Sequence, residues 1–103
     1  MAGEIEARLQ ALGVTLPGPG KPAANYVPYV ITGNLLFISG QVPMTPDGVK
    51  FVGKLGREFS IEEGQEAARI CAINVLGVAK AAIGDLDRIQ RMVKVVGFVN
   101  GVP

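Results

Sequence analysis

Between Glu4 and Leu12 the apolar positions Ile5, Leu9 and Leu12 fall at helical spacing, with Glu4 and Glu6 near the positive end of the helix dipole. This pattern predicts a short amphipathic helix that Gly13 stops. Leu16 to Pro22 then carries three prolines and two glycines, which excludes regular structure and marks a linker. From Tyr26 the pattern changes. Tyr26 to Ile31 and Leu35 to Ser39 are β-branched and aromatic runs, and Thr32-Gly33-Asn34 between them predicts an antiparallel hairpin, with positive φ angles at Gly33-Asn34. Pro28 cannot donate to a ladder, which puts the first run at a sheet edge or leaves it paired over part of its length. Val42 to Gly48 reads as a turn-rich connection and Val49 to Lys54 as a third strand.

The sharpest local signal is Ser60-Ile61-Glu62-Glu63, a capping box in which hydroxyl and carboxylate each satisfy the other residue's amide. The helix it opens is predicted to run to Ile83 and stop at Gly84, with Lys80 complementing the dipole at its end. Between Ala67 and Ile83 the strongly polar residues are Arg69, Asn74 and Lys80, so this helix is expected to lie flat on a sheet with its flanks covered. Asp85 to Arg88 predicts a turn and Met92 to Val99 a fourth strand. The order α-β-β-β-α-β makes an α+β domain over residues 22–103, preceded by a helix and linker over 1–21.

Composition adds an excess of apolar material. The chain has 103 residues, 49% apolar and 18% charged, and one subunit of this size hides only about 60–65% of its unfolded surface. Part of the surplus is expected in an oligomer interface. A net charge of +1 argues against a basic face for nucleic acid. Histidine is absent, which removes a Ser-His-Asp triad, a Cys-His dyad and an HExxH metal site from these residues. The single Cys71 fits a reducing compartment, and residues 1–4 do not open a signal peptide. No run approaches the roughly 20 apolar residues of a membrane span. The expected location is the cytoplasm.

Candidate chemistry is sparse. Gly48 to Lys54 matches the first seven positions of a phosphate-binding loop, but Leu55 stands where a hydroxyl should hold magnesium. Gly18-Pro-Gly20-Lys-Pro-Ala23 matches GxGxxA inside the linker, with neither strand before it nor helix after it. Both are rejected. Cys71, in mid-helix, reads as a buried structural thiol, and Asn74 as an amide bonded to the backbone of a neighbouring loop. Ser39-Gly40-Gln41 ends the second strand, where it is either a bulged terminus or a place for backbone, hydroxyl and amide to converge on a ligand. Tyr26 and Tyr29 are packing residues with phenols at a wet rim. No nucleophile–base pair emerges.

Asn25-Tyr26-Val27, the run Gly33-Asn34 through Ser39-Gly40-Gln41-Val42-Pro43, Ala68-Arg69 with Asn74, and Val93 to Val99 together resemble the YjgF/Rid family of imine deaminases, formerly labelled endoribonuclease L-PSP or translation inhibitors. The likeness covers residues 22 to 103, and the amino-terminal helix with Leu12 to Pro17 resembles a branch carrying that extension. It implies a chorismate-mutase-like fold with a long helix on one face of the sheet, a homotrimer, and ligand clefts between subunits. It also implies hydrolysis of small 2-imino acids to 2-oxo acids and ammonia, without metal or other cofactor. Tyr26, Ser39 and Gly40 match cleft positions of the family and are the expected substrate-binding residues. The family's carboxylate-clamping arginine and water-associated glutamate belong to a later stretch, so the fold is expected to be incomplete at its carboxyl end and the 103 residues alone to be inactive. Two other readings stand beside this one: a non-catalytic small-molecule-binding or interaction module of the same fold, and a ribonuclease or translation inhibitor.

Overall fold

The computed structural model describes residues 3–18 and 25–103. The boundary expected at residues 21 and 22, and most of the rejected GxGxxA stretch, lie outside them. Helix α1 spans Glu4–Ala11. Gly3 precedes it at φ 90° and has no side chain to cap it, and the cap comes from far along the chain instead. The Asp87 carboxylate accepts from the Glu4 amide at 2.8 Å and the Ile5 amide at 2.9 Å.

Strands β1 (Tyr29–Thr32) and β2 (Leu35–Ile38) pair antiparallel, with Tyr29 opposite Ile38 and Thr32 opposite Leu35. Gly33 takes the turn's positive φ, 56°, whereas Asn34, expected to share it, does not. The expected start at Tyr26 is corrected to Tyr29. Pro28 has no N–H for the ladder and contributes only its carbonyl, which accepts from the Ser39 amide at 3.0 Å.

The expected third strand is also corrected. Met44–Thr45 (β3) and Gly48–Val49 (β4) form a tight hairpin, and the chain leaves extended geometry at Phe51, whose φ is 59°. The Phe51 ring meets Phe59 edge to face, with centroids 5.5 Å apart. A side chain at Gly53 would put its Cβ 2.9 Å from the Phe59 ring. The path from 51 to 59 is thus folded around this aromatic pair.

Helix α2 runs Ile61–Ile83 as the capping box predicts: Ser60 Oγ accepts from the Glu63 amide at 3.2 Å, and the Ser60 amide donates to Glu63 Oε1 at 3.0 Å. Gly84 ends it at φ 81°, and Arg88 donates to the Ile83 carbonyl at 2.9 Å from the 3-10 turn Leu86–Arg88. The helix packs on β2 and β3 with one side, and Leu86 is sealed beneath its end. Asn74 donates to the carbonyls of Val42 at 3.2 Å and Met44 at 3.0 Å, tying α2 to β3. At Gly77 the helix meets the stretch behind α1 so closely that a Cβ would sit 2.8 Å from the Pro17 carbonyl oxygen. Glu6 and Lys80 make an ion pair at 2.6 Å across the same junction.

Two expectations about coverage need correcting. Along α2 only Gly77 and Ala79 are fully buried, so within a single copy of the chain its flanks are not covered. Residues 92–99 pair with no strand among the described residues; Phe98 is 94% exposed, and Val93, Val95 and Val99 also face solvent. Strand composition does not by itself make a strand, because packing against neighbours decides it. The chain regains contact just beyond, where Gly101 bridges Leu55 in parallel. The fold is α+β, with its sheet in two separate two-stranded pieces. Its accessible surface is 7962 Å², against about 5,500 Å² for a compact monomer of this mass. No helix among the described residues is long and apolar enough to cross a membrane.

Candidate functional site at the end of strand β2

The hairpin brings the three sequence-predicted positions to one place. Ser39 follows the last residue of β2, and each of its polar groups is engaged: its amide donates to the Pro28 carbonyl, its hydroxyl donates to the Val27 carbonyl, and its carbonyl accepts from Gln41 Nε2 at 3.0 Å. The segment carrying Tyr26 is therefore fastened to the end of β2 through the two residues that follow the tyrosine. Tyr26 itself is 44% exposed. Gly40 is exposed, and a Cβ built there meets nothing within 4 Å, so its backbone is open to a ligand. The strand end offers a hydroxyl oxygen with free lone pairs and an exposed stretch of backbone, with Tyr26 one residue from the Val27 tie, a set that suits orientation of a small polar molecule.

Three of the five arginines have partners away from this cluster. Arg57 is forked onto its neighbour Glu58, raising the guanidinium pKa and lowering that of the carboxylate through their hydrogen bonds. Arg69 lies 4.0 Å from Glu66 on the helix surface, and Arg88 caps α2. In the rejected phosphate-loop match, Lys54 donates to Asn100 Oδ1 at 2.8 Å and Asn100 returns a bond to the Gly53 carbonyl at 3.1 Å, a structural clasp. Cys71 is half-buried, and desolvation raises its pKa, so little reactive thiolate forms at neutral pH. Among the described residues no group of three His, Cys, Asp or Glu side chains is placed to hold a metal ion.

Two cavities lie away from this cluster, at the junction of α1 and α2. One, of about 260 Å³, is lined by Leu16, Pro17, Gly77 and Ala81; the other, of about 200 Å³, by Glu6, Gln10 and Thr15; Lys80 borders both. Sequence reading missed this junction. Asp87 as the cap of α1 and Glu6 as the partner of Lys80 are contacts across more than seventy residues, for which local patterning carries no signal.

The chain spans less than two thirds of the relatives it resembles. Protein TCP17 of Trypanosoma cruzi is 47% identical over 102 residues, 99% of this chain and 64% of that protein. A crystal structure from Shewanella oneidensis, described as a putative endoribonuclease, matches with a TM-score of 0.79 and 37% identity over 84% of this chain and 57% of its own. One from Agrobacterium tumefaciens, of unknown function, matches with a TM-score of 0.76 and 46% identity over 87% and 55%. Residues 6–102 match the family described as "YjgF/chorismate mutase-like, putative endoribonuclease", and with the Gly33 to Pro43 signature placed at the strand end, the chain belongs to that family.

Proposed function

We propose that this chain supplies one wall of the cleft of an imine deaminase, which hydrolyses small 2-imino acids. Water adds to the carbon of the protonated imine, and the resulting carbinolamine expels ammonia to leave a 2-oxo acid. A protonated imine is already electrophilic, so the site chiefly has to orient it and place one water. Supporting this reading is the tie between the Tyr26 segment and Ser39-Gly40, which gathers the three family-matched positions at one open strand end. Tyr26, Ser39 and Gly40 orient the substrate. The substrate carboxylate calls for a bidentate arginine. Arg57, Arg69 and Arg88 have partners elsewhere, Arg8 lies on α1, and Arg91 does not match the family's clamp position, so the reading assigns that arginine, and the glutamate that holds water, to residues outside these 103. It further places the clefts between subunits of a homotrimer, which would cover the exposed apolar residues of 92–99.

The family description and the Shewanella relative's name favour a second reading, RNA cleavage. These 103 residues supply neither a histidine for acid–base cleavage nor, at a net charge of +1, a basic face. The test couples an amino-acid-deaminating enzyme to two proteins, this chain and the same chain extended to its relatives' length, and follows 2-oxo acid release beside cleavage of a labelled RNA. Acceleration by the extended chain alone is expected, lost in its Tyr26→Phe, Ser39→Ala double variant. RNA cleavage without imine hydrolysis would overturn the proposal.

A further inference from the structure

We propose that Ser39 acts as a positioning residue: its hydroxyl locks the Tyr26 segment onto the end of β2 and contributes to the cleft by fixing where the tyrosine stands. This deepens the cleft reading above and rests on it. The hydroxyl has one proton, and that proton is committed to the Val27 carbonyl, one residue beyond Tyr26. Toward a ligand, Ser39 Oγ can therefore accept a hydrogen bond and has none to donate. The bond has work to do here because the regular ladder ends at Tyr29. Pro28 provides no N–H, so the backbone around Tyr26 is fastened by the Ser39 hydroxyl to the Val27 carbonyl and the Ser39 amide to the Pro28 carbonyl. Gln41, donating to the Ser39 carbonyl, steadies the anchor from the other side. Removing the hydroxyl leaves one of the two ties.

The chain offers its own probe, since it has two tyrosines and no tryptophan. In a Tyr29→Phe background, which keeps the ring that faces Ile38, Tyr26 is the sole tyrosine emitter. Loss of one hydrogen bond shifts the docked–undocked equilibrium of the segment by about fivefold. Ser39→Ala is expected to lower the fluorescence anisotropy of Tyr26 and raise its quenching by acrylamide, well below the unfolding transition, and Ser39→Thr to restore both. If Ser39→Ala does not fold, Ser39→Cys, a weak donor of similar size, is expected to shift both signals in the same direction. A purely structural serine would lower the melting temperature and leave the Tyr26 signal of the folded protein unchanged, and that result would overturn the proposal. So would failure of threonine to restore the signal. Because the readout is not turnover, a shifted Tyr26 signal in a protein whose extended form releases no 2-oxo acid would support the positioning and refute the deaminase reading.

Discussion

Replacing Asn74 by alanine removes the amide that ties the middle of α2 to β3. Two carbonyls, those of Val42 and Met44, face Nδ2 at 3.2 and 3.0 Å, and this pair of acceptors fixes the amide's orientation. Each bond is worth a net ~0.5–1.5 kcal/mol. Val42 and Met44 are 51% and 42% exposed, so the freed carbonyls can take up water, which keeps the loss near the lower end. Asn74→Ala is therefore expected to cost about 1–2 kcal/mol, lowering the melting temperature by roughly 5–15 °C in a domain of this size. Asn74→Asp should cost more, because a carboxylate brings no donor and sets negative oxygen against two carbonyl oxygens. Thermal and urea unfolding of the three proteins give the comparison. An alanine variant as stable as the parent, or an aspartate variant as stable as alanine, would refute the tie.

Other consequences are equally direct. Ser60→Ala should remove about 1 kcal/mol by breaking the capping box at the start of α2, read by urea unfolding. Gly77→Ala should push the Pro17 carbonyl off α2, speeding proteolysis near residues 14–18 while the rest of the chain stays protected. The amides of Ile5 and Glu4 lower the pKa of Asp87, so its stabilising contribution is complete above the ordinary aspartate range and is lost as pH falls below it. Asp87→Asn should flatten that acid limb in a stability-against-pH series. Cys71 should react with a thiol reagent more slowly in native protein than in urea, since burial disfavours its thiolate.

The elements legible in the sequence were those with local causes. Glycine and a polar cap bound α2 at both ends, and a two-residue turn sets the register of β1 and β2. The amide of Asn74, in an otherwise apolar run, announced a backbone partner and has two. What sequence misjudged depends on who the neighbour is. Val49 to Lys54 reads as strand by composition, but the Phe51 ring prefers Phe59 to a ladder, and the backbone turns to reach it. Met92 to Val99 has strand composition yet pairs with no strand among the described residues. At the candidate site, the family resemblance pointed to Tyr26, Ser39 and Gly40, whereas the proximity of the first to the others rests on hydrogen bonds from Ser39 to Val27 and Pro28 that no spacing rule encodes.

The claim that the end of β2 is the ligand site is tested most directly by titrating isotope-labelled protein with 2-oxobutanoate, a product-type ligand, while following each backbone amide by NMR. The account predicts shifts concentrated at Tyr26, Ser39, Gly40 and Gln41, saturating only at high ligand concentration because the carboxylate finds no arginine clamp among these residues. Shifts centred instead on Leu16, Gly77 and Lys80 at the α1–α2 junction, or none beyond those caused by an equal concentration of sodium chloride, would contradict it.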